Sequence, residues 1–258
     1  MSYITVEKSL PTGQGMFISV DGFSKSGKTT AVAKLKDSIN HQLNVFHKTD
    51  GLDYVLEMSA PEFQLGKKIN ELIDRFVIDR LTSGFLLASL LREYTQTITS
   101  HCRKEGKVVI VDSFVLTGHM CLYSLDLDTR QRLFDLAIGY DGPDMALFME
   151  LDPETAANRS HQERLKNYHP NFYLPPLDVD GYKEIRRAVD CFFDPNDELF
   201  DPSISSVNCN DGFGFINVQL EAWVVNSFMP TFHDRHAMGE PKTIGDLIRE
   251  QHAKGVTE

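Results

Sequence analysis

Short, dense apolar runs alternate along this chain with stretches whose apolar residues recur at helical spacing. The runs Phe17–Val20, Lys107–Asp112, Met145–Leu151 and Ile204–Cys209 read as strands, and Leu43–His47 as a further short one. Within the second, Val108–Val111 is wholly β-branched, as expected of a parallel strand covered on both faces. Helical patterns lie between the runs. One spans Lys28 to Asn40. Lys67–Ile78 carries Ile69, Leu72, Ile73 and Phe76, and Ser83–Cys102 sets Leu87, Leu91, Tyr94, Ile98 and Cys102 on one stripe. Gly118–Leu125, Arg130–Ala137, Val179–Phe193 and Val218–Phe228 also read as helices, with a short one at Ile244–His252. Asp152-Pro153-Glu154 opens another, with Asp152 as its cap and Pro153 in its first turn. Asp50–Gln64, which holds Pro61, reads as an irregular substrate-facing loop, and residues 160–180 as a basic, aromatic, Pro-rich one. This alternation predicts the α/β class: three α/β/α layers around a mainly parallel, five-stranded sheet. The predicted domain spans 16–229, with an N-terminal extension at 1–15 and a polar tail at 230–258.

The loop after the first strand carries the chemistry. Gly22-Phe23-Ser24-Lys25-Ser26-Gly27-Lys28-Thr29 matches G-x-x-x-x-G-K-[ST] in full, with a strand before it and a helix after it. Glycines at both ends permit a backbone that turns successive N–H groups inward around a phosphate chain. The helix starting near Lys28 adds its positive dipole end. The pattern points Gly22, Lys25, Ser26, Gly27, Lys28, Thr29 and Thr30 at the phosphates of ATP or GTP, with Lys28 reaching the β- and γ-phosphates and the Thr29 hydroxyl facing Mg²⁺.

The P-loop, Asp50, Asp112 and Asp152 all follow predicted strands, so one sheet edge can gather them. A carboxylate at Asp112 can hold Mg²⁺ opposite Thr29, directly or through water; the alternative for it is a turn or a helix cap. The segment Arg159-Ser160-His161-Gln162-Glu163-Arg164-Leu165-Lys166 is basic. Its arginines either close as a lid over a transferring phosphoryl group or form a solvated face. Phe85, Ser89, Arg92 and Gln96 recur at four, three and four residues and share one helix face. An aromatic ring, a guanidinium and an amide there can grip a nucleobase; Phe85 in the core and Arg92 in an ion pair is the equally open alternative.

Composition narrows the classes. The chain has 258 residues and a formal charge of −11, which disfavours a non-specific duplex-DNA binder. No apolar run approaches the roughly 18 residues of a membrane span, and the first fifteen residues lack a basic-then-apolar signal pattern. Cys102, Cys121, Cys191 and Cys209 are scattered, with no C-x-x-C, and read as reduced thiols of a cytoplasmic protein. There is no H-E-x-x-H, and His233-Asp234-Arg235-His236 reads as solvated surface. No Asn-Lys-x-Asp guanine-reading motif occurs, and Asp178-Val179-Asp180-Gly181 matches D-x-x-G away from any strand end.

In order and spacing these pieces resemble the thymidylate kinase family of P-loop nucleoside monophosphate kinases. Phe17 to Thr30 is similar to that family's strand and glycine loop, and Leu86–Arg92 to the helix whose arginine contacts the pyrimidine. Val109–Phe114 resembles its Asp-Arg-aromatic strand end. Pro143–Glu154 resembles its penultimate strand, and Arg159 to Arg164 falls where its arginine-bearing lid begins. The resemblance covers roughly 16–225 and implies a P-loop kinase fold with a lid at about 160–180. It also implies ATP and Mg²⁺ as cofactors, Lys28, Asp112 and Arg164 as catalytic residues, and Arg159 on the ATP side. Acceptor contacts would come from Asp21, Lys48, Asp50, Phe85, Ser89, Arg92 and Gln96. Family members are often dimers, though no pattern in this chain demonstrates a homodimer.

The chain also departs from the pattern. Ser24 or Lys25 stands where a sugar-reading acidic residue is expected, Lys48-Thr49-Asp50-Gly51 replaces an Arg-Glu-Pro-Gly segment, and Ser113 replaces the strand-end arginine. Two acceptor-phosphate arginines are therefore missing, a loss of a few kcal/mol of charge-assisted binding that Lys25 and Lys48 offset only in part. Three activities follow from the sequence. The first is ATP-dependent phosphoryl transfer to a nucleotide such as a pyrimidine deoxynucleoside monophosphate. The second is transfer to a hydroxyl of a nucleoside, a modified base or a base in DNA, with Asp21, Asp50 or Asp112 as the base. The third is nucleotide binding without transfer, as in a regulatory protein.

Overall fold

The computed structural model describes residues 15–23, 25–47, 55–59, 79–138, 142–164, 178–210 and 213–237. Its centre is β1 (Phe17–Gly22), buried along its whole length. Five strands, β1, β2 (Val55–Ser59), β3 (Val108–Asp112), β4 (Met145–Glu150) and β5 (Ile204–Asn208), form one sheet in the order β2-β3-β1-β4-β5. Every pairing is parallel. Residues on both sides of β1, β3 and β4 are buried, so helices cover both faces, which the continuous apolar runs of these strands require. The α/β expectation holds.

The helices are α1 (Lys28–His47), α2 (Arg80–Thr99), α3 (Val115–Cys121), α4 (Leu127–Ile138), α5 (Pro153–Arg164), α6 (Val179–Asp190), α7 (Phe213–Trp223) and α8 (Met229–Ala237). α1 packs with α7, α2 with α4, and α3 and α5 with α6. The core runs continuously through β1, β3 and β4 and takes in Leu35, Ile39, Tyr94, Phe114, Tyr182 and Trp223. The start of β4 is pinned by Asp144, whose carboxylate accepts the Phe17 N–H at 2.7 Å.

Strand order places the site. β1 and β3 are neighbours, yet β1 crosses to β2 beyond β3, and β3 crosses to β4 beyond β1. Chains leaving two adjacent strands in opposite directions open a crevice at their carboxyl ends, the place where such sheets bind ligands. Both Gly22 and Asp112 end strands there.

Several boundaries differ from the sequence reading. Leu43–His47 is not a strand. It is the last turn of α1, because Leu35, Ile39 and Leu43 continue one four-residue stripe and are all fully buried. The second strand lies instead at Val55–Ser59, inside the stretch read as loop, in register with β3 from Val55↔Val108 to Ser59↔Asp112. Residues 160–164 belong to α5 rather than to a loop. α3 begins at Val115, ahead of the expected Gly118, where the Asp21 carboxylate seats its first turn. A π-helical turn at Val224–Phe228 leads into α8, and Pro230 falls in its first turn, where its missing N–H matters least. The segment assigned to the tail thus starts as helix, and Phe232 is fully buried beside Phe228 at 5.6 Å between ring centroids. The expected helices at Lys67–Ile78 and Ile244–His252 lie outside the described residues.

Candidate active site

The glycine loop has the backbone its sequence demands. Gly22 sits at φ 145° and Gly27 at φ 95°, both in the region that side chains resist. A Cβ on Gly22 would also lie 2.6 Å from the Met149 carbonyl oxygen, so β4 itself excludes any larger residue. Lys25 adopts φ 68° without being glycine. Ser26 N–H donates to Phe23 O at 3.2 Å, and Ala31 N–H donates to Gly27 O at 2.9 Å as α1 begins. The Ser26 hydroxyl is buried with no partner, an orphaned polar group inside the loop.

Lys28 and Thr29 extend from the first turn of α1. The Lys28 ammonium donates to the carbonyls of Gly22 at 3.0 Å and Phe23 at 2.8 Å. Phosphate oxygens can replace those carbonyls as acceptors of the same donors. Burial lowers the Lys28 pKa, while the charges of Asp112 and Asp21 work the other way. The Thr29 hydroxyl donates to Asp112 Oδ2 at 2.7 Å across 83 residues of sequence. Adjacent ligands of an octahedral Mg²⁺, each at about 2.0–2.1 Å, stand roughly 2.9 Å apart. The two oxygens are therefore spaced as a Mg²⁺ edge would need, and both are hard donors. The loop, its lysine and this pair fit a magnesium nucleotide.

Arg159 joins three elements. From α5 it donates to Lys25 O at 3.1 Å and to Cys209 O at 3.4 Å, holding the loop against the end of β5. Asp152, after β4, caps α5 through the N–H groups of Glu154 at 3.0 Å and Thr155 at 3.1 Å. Its own N–H donates to Asn210 Oδ1 at 2.8 Å. These residues tighten the phosphate side of the crevice.

The residues expected to hold the acceptor base are looser. Phe85, Ser89, Arg92 and Gln96 are all exposed on α2, opposite the buried stripe of Leu87, Leu91, Tyr94 and Ile98. Ser89 donates to Phe85 O at 2.9 Å, and Arg92 reaches Ala137 O at 3.5 Å. Ser113 takes φ 75°, and its hydroxyl donates to Asp112 Oδ1 at 3.0 Å. Lys48, Asp50 and the Arg164 side chain lie outside the described residues; the Arg164 backbone ends α5.

Asp21 departs from its expected place among the acceptor contacts. It is fully buried, and its Oδ1 accepts N–H groups from Phe114 at 2.8 Å and Thr117 at 2.9 Å. That carboxylate caps α3 and accounts for the helix starting at Val115. The partners are more than ninety residues away in sequence, so no local pattern announces the cap. Cys121, one of the free thiols read from the sequence, is buried on α3, and burial raises its pKa. Among the described residues no cluster of His, Cys, Asp and Glu forms a further metal site, and no helix is long and apolar enough to cross a membrane.

Comparison with known proteins bears on the family and the fold. The thymidylate kinase family model matches residues 20–173. The thymidylate kinase of Mycoplasma pneumoniae is 25% identical over 179 residues, covering 68% of this chain and 82% of that protein. That of Bacillus velezensis is 25% identical over 161 residues, covering 59% and 72%. A crystal structure of thymidylate kinase from Ehrlichia chaffeensis shares the fold with a TM-score of 0.54 at 20% identity, covering 85% of this chain and all of that one. The chain belongs to the thymidylate kinase family and is a P-loop nucleotide kinase.

Proposed function

We propose that this enzyme transfers the γ-phosphoryl group of ATP, with Mg²⁺, to a nucleotide such as a pyrimidine deoxynucleoside monophosphate. The observation that carries the proposal is the 2.7 Å pairing of Thr29 with Asp112 beside a lysine already donating into the glycine loop. Lys28 and the loop N–H groups neutralise charge on the transferring group, Thr29 and Asp112 would hold the metal, and Arg159 fixes the loop against β5. When bound, Mg²⁺ withdraws charge from the phosphates. An acceptor that is already a phosphate needs no strong base, so in-line positioning supplies most of the catalysis. The exposed face of Phe85, Ser89, Arg92 and Gln96 is our choice for the acceptor base, and Arg164, with Lys48 and Asp50, for closure over it. The thymidylate kinases that resemble this chain support a nucleotide acceptor. The four free thiols support a reducing compartment such as the cytoplasm.

One observation favours a hydroxyl acceptor. Ser113, where the resemblance expects an arginine, puts its hydroxyl on Asp112 and brings no positive charge to the strand end. A hydroxyl acceptor needs a base, and Asp112 is the carboxylate at hand. A transfer panel with radiolabelled ATP decides between the two. We expect label on deoxynucleoside monophosphates. Label only on nucleosides, modified bases or oligonucleotides would replace the nucleotide reading with this one, and no transfer at all would favour a binding protein.

A further inference from the structure

Between β1, the starts of β4 and β5, and the helices α3 and α4 lies a second cavity, of about 310 Å³. It includes no glycine of the phosphate loop and no residue of the α2 face. Its polar lining is unusual. Ser19, Asp21 and His119 are each 1% exposed or less, and Ser19 Oγ, Asp21 Oδ2 and His119 Nδ1 have no hydrogen-bond partner. Gln131 gives its amide N–H to Asp135 at 2.9 Å and leaves its buried Oε1 unpaired. Asp201 accepts Ser203 on Oδ1 alone. A buried polar group without a partner is costly unless something fills the space beside it.

The lining has one sign. Asp21, Asp135 and Asp201 face the cavity, and no lysine or arginine lines it. His119 carries no charge to offset them. Burial first, and the nearby Arg130 second, push its pKa down to about 3. Arg130 stands behind this wall and gives its guanidinium to the main-chain carbonyls of His119 at 3.2 Å and Ala188 at 2.8 Å. Free acceptors therefore outnumber donors, on a negatively charged wall with apolar sides at Leu116 and Phe134. Nucleotides are excluded by charge. No geometry among these residues suits a metal ion. What fits is a donor-rich, positively charged organic group.

We propose that this cavity is a binding site for a small organic cation, an amine or guanidine without phosphate. Its occupant pairs with Asp21 Oδ2 and Gln131 Oε1 at depth and with Asp135 at the solvent side. The other oxygen of the Asp21 carboxylate accepts the N–H of Phe114, two residues beyond Asp112, and that of Thr117 in α3, so the occupant contacts a group hydrogen-bonded just past the strand end of the kinase site. The proposal does not depend on which acceptor the enzyme phosphorylates.

Isothermal titration calorimetry of the full chain with agmatine tests it, with thymidine as a neutral control. The expected result is one saturable site for agmatine, undiminished by saturating magnesium and a non-hydrolysable ATP analogue. Asp135→Asn, an exposed change that leaves the core intact, should weaken it about tenfold. Ala146→Leu, on the cavity floor, should abolish it. Absence of agmatine binding, displacement by the ATP analogue, or affinity unchanged in Asp135→Asn would overturn the proposal. The last outcome would assign the heat to diffuse attraction by a chain of charge −11. If Ala146→Leu does not fold, Asp135→Asn alone decides.

Discussion

The two sides of the crevice are built differently. The donor side is made of backbone: left-handed Gly22 and Gly27, carbonyls holding Lys28, and Arg159 bonded to the carbonyls of Lys25 and Cys209. The face proposed for the acceptor is made of exposed side chains on α2, with one 3.5 Å contact from Arg92 to Ala137. Backbone geometry permits few substitutions, whereas an exposed helix face permits many. The chain accordingly keeps the G-x-x-x-x-G-K-[ST] pattern whole, and the departures from the resemblance fall at its variable positions Ser24 or Lys25, at Lys48–Gly51 and at Ser113.

If that contrast is right, the largest effects arise on the donor side whatever the acceptor is. Lys28→Ala should reduce phosphoryl transfer at least about a hundredfold, with circular dichroism unchanged, since one preorganised donor to transition-state charge is worth 10²–10³. A pH titration sharpens the point. Burial depresses the Lys28 pKa, so the free enzyme loses that charge at lower pH than an ordinary lysine would. ATP affinity should fall on the alkaline side before pH 10.5, and the fall should vanish in Lys28→Arg. An alkaline limb unchanged in that variant would place the titrating group elsewhere.

Asp112→Asn and Thr29→Ala come next. Each removes one member of the 2.7 Å pair, and each should raise the Mg²⁺ concentration for half-maximal activity by about tenfold to a hundredfold. Excess metal should rescue much of the loss. If Mg²⁺ dependence is unaltered, Asp112 is a turn residue rather than a metal contact, and the donor side ends at Thr29.

The same contrast explains what the sequence disclosed. The glycine loop was legible because its needs are positional: Met149 O would lie 2.6 Å from a Gly22 Cβ, and Gly27 must have positive φ. Asp112 was legible because it ends an unmistakable strand. The fold class followed from alternation, yet β2 did not. Its five residues include Glu57, and they are recognisable only beside β3. Leu43–His47 misled because five residues with apolar Leu43, Val45 and Phe46 are too few to fix a period; only the phase of Leu43 with Leu35 and Ile39 makes it helix. The Asp21 cap and the Arg159–Lys25 contact join residues 93 and 134 positions apart, distances at which spacing carries no information.

On the acceptor side the expected effects are smaller and fall on KM. Arg92→Ala should raise the acceptor KM about tenfold and leave kcat and the KM for ATP nearly unchanged, as loss of one charge-assisted contact outside the reacting atoms would. A drop in kcat with KM fixed would instead make Arg92 part of the reacting site and erase the contrast between the two sides.

The smallest effect is the most discriminating, because Ser113 touches both sides at once. It holds Asp112 Oδ1 at 3.0 Å while standing where the family resemblance expects a cation for the acceptor phosphate. Ser113→Ala removes one part-buried hydrogen bond to a carboxylate that keeps Thr29 as a donor, so activity should fall by less than about tenfold, visible mainly as a weaker Mg²⁺ response. Ser113→Arg asks the complementary question. The φ of 75° already strains any side chain there, so arginine adds little backbone cost beyond that of serine. If the natural acceptor is a monophosphate that manages without this arginine, the variant should lower its KM several-fold. If the acceptor is a hydroxyl, the new cation neutralises Asp112 instead, and transfer should decline with every acceptor tested. The sign of that one change separates the nucleotide from the hydroxyl reading even before the natural substrate is identified.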